Sequence, residues 1–354
     1  MKIALVHDWM TSFAGGEQVL FALHELFPEA PIYTSIYDPK RMAAFADADI
    51  RTSYLQRIPT AKRRHQVLIP LMPQAFESFD LKEFDVIISS STGVAKGVIT
   101  QPGQTHICYM HTPPRYLWRL GGDNRTEGWL RSYMAHKMRV WDVVSSSRVD
   151  MFIANSETVA KRIEKIYCRT ADVIYPPVNT AMFPLSDKPV SDYFLSVSRL
   201  VGYKRIDVII DGCRRAGVKL KVVGDGPERT ALEKRAAGAE VEFLGRVPDA
   251  QLADLYAGAK AFIFAAEEDF GIVPVEAMSA GRPVLAFGRG GLIESVKSGV
   301  TGEFFSEQNG ESLAALLTEF DSSSYDPEKI HKHALAFDSA VFKEKIMKLV
   351  ESIR

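Results

Sequence analysis

Short apolar runs alternate with longer amphipathic segments along nearly the whole chain. In the first half the runs are Ile3 to His7, Pro31 to Ile36, Asp85 to Ser89, His106 to Met110, Met151 to Ala154 and Asp172 to Tyr175. In the second half they are Tyr193 to Val197, Lys219 to Val223, Val241 to Leu244, Ala261 to Ala265, Pro283 to Phe287 and Gly302 to Phe305. Between them, segments such as Glu17 to Phe27 carry apolar residues at i, i+3, i+4 and i+7, the spacing of one helix face. Strands alternating with helices predict an α/β protein with doubly wound parallel sheets. Twelve strands exceed one such sheet of ordinary size, so the pattern predicts two domains.

The seam is marked by Tyr175-Pro176-Pro177-Val178, which cannot be helical, and by the polar stretch Ser186 to Asp192. The expected domains are 1–178 and 190–338, with a break at Asp321 to Pro327 before two closing helices. A length of 354 residues agrees with two domains. Net charge is −1, which excludes a chain that binds nucleic acid by bulk electrostatics, and no apolar run reaches the length of a membrane span. The first residues turn polar at His7-Asp8, which predicts a strand rather than a signal peptide. Cys108, Cys168 and Cys213 are far apart and odd in number, which argues against a disulfide framework and predicts a cytoplasmic protein. Charge is uneven: residues 1–177 sum to +3 and the rest to −4. Ile50 to Phe76 holds no acidic residue but carries Arg51, Arg57, Lys62, Arg63 and Arg64, followed by Leu68, Ile69, Leu71, Met72 and Phe76. This segment reads either as a solvated helix with one packing face or as a basic amphipathic surface for anionic lipid.

The densest chemical signal is Glu268-Asp269-Phe270-Gly271-Ile272-Val273-Pro274-Val275-Glu276, where a strand ends and a helix opens near Phe270-Gly271. Unpaired N–H groups at a helix start bind phosphate or sugar oxygens. Glu268 and Glu276, eight residues apart, are expected on roughly one helix face, where carboxylates suit vicinal hydroxyls. Arg199 and Lys204 fall in a strand-to-helix loop, where two cations read as a diphosphate clamp or as solvated surface. Three glycine turns occupy similar positions: Gly15-Gly16, Gly224-Asp225-Gly226 and Gly288-Arg289-Gly290-Gly291. Arg229 stands where the third glycine of a dinucleotide fingerprint belongs, and no P-loop is present. His111 ends a strand before Thr112-Pro113-Pro114, suiting either proton transfer or a structural hydrogen bond, and His7-Asp8 has the same ambiguity. No His/Cys cluster suggests a metal, and Asp47-Ala48-Asp49 lies in a charged turn before a predicted strand.

With these residues in place, the chain resembles family 4 glycosyltransferases of GT-B architecture. The resemblance is carried by Gly15-Gly16, His111-Thr112-Pro113, Asn155-Ser156-Glu157, Tyr175 to Val178, Ser198-Arg199 with Lys204, Val223 to Pro227, and the Glu-x7-Glu frame from Glu268 to Glu276. Its first half, from Val6-His7-Asp8-Trp9 to His111-Thr112-Pro113, is similar to bacterial mannosyltransferases of O-antigen and exopolysaccharide assembly. The resemblance implies two Rossmann-like domains facing a cleft, with the terminal helix 339–354 crossing back to the first. It implies that Arg199, Lys204 and the Gly16 amide neutralise the donor diphosphate, beside Gly224. Glu268 and the amides of Phe270, Gly271 and Ile272 would hold the donor sugar, Glu276 the ribose, and Arg246 and Val247 the base. His111 would sit at the reaction centre. The family retains anomeric configuration and needs no metal or other cofactor. The expected partners are a nucleotide-sugar donor, with GDP-mannose preferred over a UDP-sugar, and a glycan or polyprenyl-linked glycan acceptor. The expected location is cytoplasmic, peripheral on the inner membrane face through residues 51–76. Rival readings are a GT-B epimerase or phosphorylase, a silent member of a polysaccharide assembly complex, and a nicotinamide dehydrogenase.

Overall fold

The computed structural model describes residues 1–120, 128–186 and 188–353. Asp187, in the polar stretch read as the seam, lies outside the described residues. Two compact units divide the chain, one of Met1–Pro177 with Phe342–Arg354 and the other of Val178–Val341.

The first unit holds seven strands: β1 (Ile3–His7), β2 (Ile32–Thr34), β3 (Ile50–Thr52), β4 (Val86–Ser91), β5 (Thr105–Met110), β6 (Met151–Ala154) and β7 (Ala171–Val173). They lie in the order β3-β2-β1-β4-β5-β6-β7, all parallel. The second unit holds β8 (Phe194–Val197), β9 (Leu220–Val223), β10 (Val241–Gly245), β11 (Phe262–Phe264), β12 (Val284–Phe287) and β13 (Gly302–Phe305). Their order is β10-β9-β8-β11-β12-β13, again all parallel. The described residues thus contain thirteen strands where the apolar pattern gives twelve. The one outside those runs is β3, a three-residue edge strand too short to carry a period of its own and marked in the sequence only as the strand expected after the charged turn Asp47 to Asp49.

Each sheet reverses its winding once, between β1 and β4 and between β8 and β11. Outside the carboxyl ends of such paired strands a doubly wound sheet opens a crevice, and ligands bind there. The sheets stand firm because both faces are covered. In the first unit Val19, Leu20 and Leu23 of the helix Gly15–Leu26 share one core with Phe342, Ile346 and Val350 of the last helix, Ser339–Glu351. Leu55, Met72, Phe76 and Met138 cover the other face. The second unit packs Ile209, Ile210 and Cys213 against Leu313 and Leu317. Each such side chain, taken fully out of water, contributes about 2 kcal/mol.

Ile50 to Phe76 is not one amphipathic helix. After β3 it breaks into 3-10 turns, Tyr54–Arg57 and His65–Leu71, and two short helices, Ala61–Arg64 and Met72–Glu77. Pro59, Pro70 and Pro73 each remove a backbone donor, so no long helix propagates. Leu55, Ala61, Met72 and Phe76 are buried, whereas Tyr54, Val67 and Leu71 are exposed. Among the described residues no helix is long and apolar enough to cross a membrane.

Candidate functional site

At the first switch point the strand register assembles a buried polar row. His7 of β1 pairs in register with Ser90 of β4, and Ser90 with Tyr109 of β5, two residues before His111. Side chains two apart share a sheet face, so His7, Ser90 and His111 meet. His7 Nδ1 lies 3.2 Å from Ser90 Oγ, which lies 2.8 Å from His111 Nε2. Glu17 Oε1 is 3.7 Å from His7 Nε2, and Glu17 Oε2 accepts the Ala14 N–H at 3.0 Å. All four residues are buried. Gly16, in the first turn of the helix Gly15–Leu26, lies over both rings: a Cβ there would sit 3.6 Å from His111 Nε2 and 3.8 Å from His7 Cε1. Nearby, His65 stacks on Trp9 and lies 3.3 Å from Thr11 Oγ1; burial lowers its pKa, opposed by the Glu17 charge.

Asp8, by contrast, is an anchor. Its buried carboxylate accepts from the N–H groups of Thr92, Val94 and Ala95 at 2.6 to 2.9 Å and from the hydroxyls of Thr92 and Ser91. That fixes the loop after β4. The loop's other end is held by Lys96, wholly buried, whose Nζ meets Asp142 Oδ1 at 2.5 Å and the Gly93 carbonyl at 3.0 Å. The ambiguity of His7-Asp8 therefore divides: Asp8 is structural, and His7 belongs to the row beneath Gly16.

The second switch point is built differently. The loop after β8 carries Arg199 and Lys204, and the loop after β11 carries Glu268. Lys204 Nζ lies 2.7 Å from Glu268 Oε1 and sits over the Phe264 ring. Arg199 and Arg246 are exposed and have no partner among the described residues. Arg289 is also exposed, its guanidinium over Phe287. Val247 is half-buried. Arg229 opens the helix Arg229–Arg235, its backbone N–H bonding the Gly226 carbonyl at 3.1 Å and its side chain bonding Glu233.

Glycines let these loops lie against one another. Gly224 has φ +127°, and a Cβ there would fall 1.9 Å from the Ser198 carbonyl oxygen. At Gly290, φ is +70° and a Cβ would fall 2.3 Å from the Glu268 carbonyl, which also accepts the Gly291 N–H at 2.8 Å. Arg205 bonds Gln308 Oε1, and Gln308 Nε2 donates to the Ala265 carbonyl, tying the two loops together.

The helix Ile272–Ser279 begins after Gly271, whose φ of +89° turns the chain into it. Glu268 therefore precedes the helix, and the expectation that it shares a helix face with Glu276 fails. Glu276 lies inside the helix, half-buried, and accepts the Tyr256 hydroxyl at 3.1 Å. Desolvation pushes its pKa up to about 7, opposed by the Tyr256 hydrogen bond. Phe270, buried, packs on Phe337. Burial likewise raises the thiols of Cys108 and Cys213 to about 12, so neither is a poised nucleophile. Among the described residues no group of three His, Cys, Asp or Glu side chains could hold a metal. Asp47 lies 3.7 Å from Nε2 of the buried His24, and Asp49 pairs with Arg51 on the surface.

Sequence reasoning placed Arg199, Lys204, Glu268 and Gly224 at one sheet edge, and His111 and Gly16 at the other. It missed Ser90, Glu17 as a partner of His7, Tyr256 and Gln308. One signal for Ser90 was present: three serines, Ser89-Ser90-Ser91, end an otherwise apolar strand, and buried hydroxyls need partners.

Two family models match in tandem, Glycosyltransferase Family 4 over residues 13–182 and Glycosyl transferases group 1 over residues 180–336. An uncharacterised glycosyltransferase of Methanocaldococcus jannaschii is 26% identical over 187 residues, 52% of this chain and 53% of its own. WcaL of Salmonella typhimurium, named as a colanic acid biosynthesis glycosyltransferase, is 25% identical over 200 residues, 51% of this chain and 49% of its own. The chain spans about half the length of these curated relatives. Among solved structures, HepE of Anabaena in complex with UDP matches with a TM-score of 0.74 at 19% identity, covering 99% of this chain and 100% of that one. Sucrose-phosphate synthase of Thermosynechococcus elongatus matches with 0.77 at 16% identity, covering 100% and 99%. These likenesses show the fold, two doubly wound parallel-sheet units of GT-B type, as the sequence led one to expect.

Proposed function

Taking as premise that this chain belongs to glycosyltransferase family 4, we propose that it moves a sugar from a nucleoside-diphosphate donor, with retention and without a metal, to a glycan or lipid-linked glycan. The observation that carries this reading is the second switch point. Arg199, exposed and without a side-chain partner among the described residues, stands in the same loop as Lys204, which is poised on Glu268 ahead of a helix N-terminus.

Cleaving the sugar–diphosphate bond builds negative charge on the leaving diphosphate and positive charge on the ring. Cations fixed before the reaction favour that distribution over the ground state. Arg199 and Lys204 supply them, and Glu268 with the amides of Phe270, Gly271 and Ile272 at the helix start takes oxygens of the sugar. Glu276, once ionised, accepts ribose hydroxyls, while Arg246 and Val247 flank the base. His111 and the Gly16 amide, in the first unit, are the groups we assign to the reacting sugar and the diphosphate. The acceptor hydroxyl enters from the side the diphosphate leaves, and the diphosphate takes its proton; a covalent sugar trapped on Glu268 would sink this route.

Mannose from GDP-mannose is the first reading for the donor, supported by the likeness of the first half to mannosyltransferases. The UDP held by HepE supports a UDP-sugar as the second. A thermal-shift panel with GDP, UDP, ADP, dTDP and NAD, each with and without EDTA, separates them. A ligand at about 100 times its dissociation constant stabilises by roughly 2.7 kcal/mol. A shift with GDP alone, unchanged by EDTA, is the expected result; UDP alone replaces the donor, and NAD alone or no shift refutes the clamp.

The lipid-linked acceptor draws support from the first unit's surface. Arg57, Arg63 and Arg64 are exposed beside Val67 and Leu71. Trp129, Tyr133, Val140 and Val144 form a second exposed stripe on the helix Trp129–Ser146. Vesicles with anionic lipid are expected to retain the wild type and release the variant carrying Arg57, Lys62, Arg63 and Arg64 all changed to Glu. Equal retention would refute this contact.

A further inference from the structure

We infer that Tyr256 is a positioning residue for the nucleotide's ribose: its hydroxyl, seated in the aromatic core of the second unit, pins one oxygen of the Glu276 carboxylate so that the other meets the ribose diol in a fixed plane. The inference rests on the reading that gives Glu276 the ribose hydroxyls.

The carboxylate plane of a glutamate turns about a torsion with a broad, roughly two-fold profile. An unheld carboxylate therefore swings, and ordering it costs affinity when the ligand arrives. The helix Ile272–Ser279 holds nothing in place: its other residues are apolar except Ser279, whose hydroxyl donates to the Phe183 and Glu276 carbonyls. The hold comes from the helix Asp249–Gly258. There Tyr256 is wholly buried, its ring edge-on to Phe183 at 5.0 Å and tilted on Phe262 of β11 at 5.9 Å. A ring packed in this way fixes where its hydroxyl stands, and the hydroxyl donates to Glu276 Oε2 at 3.1 Å. Among the described residues the Glu276 carboxylate has no other hydrogen bond and no ion pair. An ionised carboxylate offers about four lone-pair sites, so one phenol leaves room for both hydroxyls of a vicinal diol.

Charge supports the same role. Burial keeps the Tyr256 phenol well above its ordinary value of 10, so it remains a donor throughout the neutral range. Desolvation and the Asp249 carboxylate, at the start of Tyr256's own helix, both favour the protonated form of Glu276. On the helix Pro327–Ala334, packed against the helix of Glu276, His331 is spent on the Ser279 carbonyl at 2.6 Å. The Tyr256 hydroxyl alone among these groups favours the anion that a diol needs.

Tyr256→Phe removes that hydroxyl and keeps the ring. Its effect is read by calorimetric titration with GDP, or UDP where that is the nucleotide bound, and with the 2′,3′-dideoxy form, which has no diol. At alkaline pH the wild type is expected to prefer the ribo form. Tyr256→Phe is expected to bind that form about 10-fold more weakly and the dideoxy form as the wild type does. A packing defect weakens both forms alike; that result, or the full preference kept in Tyr256→Phe, overturns the role of Tyr256 alone. A wild type that binds the two forms equally, or neither, sinks the ribose reading and the role with it.

The second readout needs no nucleotide. The full chain is labelled with 13C at its glutamate carboxyls, and Glu276 is assigned by the signal lost in Glu276→Gln. The wild-type carboxyl is expected to titrate at about 7, and that of Tyr256→Phe at higher pH. An unchanged midpoint overturns the hold. Should Tyr256→Phe fail to fold, Glu276→Asp decides, because its shorter side chain draws the carboxylate back from the hydroxyl. Its preference for the ribo form is expected to vanish, and a preference kept in full overturns the inference.

Discussion

The two sheets share one topology, yet their carboxyl edges are finished in opposite ways. At the first, the polar groups are buried and spent on each other: Asp8 on the loop after β4, and His7, Ser90, Glu17 and His111 in a row. At the second, Arg199 and Arg246 stand exposed and unpartnered among the described residues, and loops are joined by close backbone approaches at glycines. A ligand gains little from groups already satisfied and much from cations that still lack an anion. The fold therefore supplies two crevices, of which the second keeps exposed cations and the first a buried polar row.

The comparison breaks most visibly at Gly224. Gly224→Ala forces a Cβ into the Ser198 carbonyl oxygen from a backbone conformation that side chains avoid. A loss of about 4 kcal/mol or more, read as an early unfolding transition of the second unit, is expected. Asp8→Asn attacks the first edge instead: an amide NH2 must face donors that now meet a carboxylate. About 3 kcal/mol is expected from denaturant midpoints, and a loss below about 1 kcal/mol would show the anchor to be dispensable.

Glu276 sharpens the contrast through pH. Its folded pKa of about 7 lies above the ordinary 4.5, so between those values the folded chain binds more protons than the unfolded one. Its contribution to stability is thus full below the unfolded value and is lost as pH rises to about 7. With Glu276 in the proposed ribose role, nucleotide binding is expected to run the other way, because ribose hydroxyls need the ionised carboxylate. Affinity is expected to weaken about 10-fold one unit below the midpoint, and Glu276→Gln to bind weakly with that dependence gone. A pH-independent wild type would remove Glu276 from the ribose. The smallest effect on the fold belongs to Arg199→Ala: denaturation within about 0.5 kcal/mol of wild type, with nucleotide affinity down about 10-fold in a titration. Unchanged affinity would return Arg199 to the solvated surface.

Much of this was legible beforehand, for a local reason. Strand ends, glycine turns and the helix opening at Gly271 are written in short windows, where period and punctuation are set by neighbours in sequence. Where the windows were too short or too broken, the reading failed. Three-residue β3 gave no alternation, and prolines cut Ile50 to Phe76 into pieces that its charge pattern alone did not disclose.

By itself the sequence determined two α/β units, the sheet edges at which Arg199, Lys204, Glu268 and His111 fall, and the family. The tertiary structure alone decided that Asp8 is an anchor, that Lys204 rests on Glu268, that Glu276 is held near neutrality, and that His111 is wired to Glu17 through Ser90 and His7. Those facts join residues up to 87 positions apart, or turn on how much protein surrounds one carboxyl. Strand order and packing create such proximity and desolvation, and no local pattern encodes them.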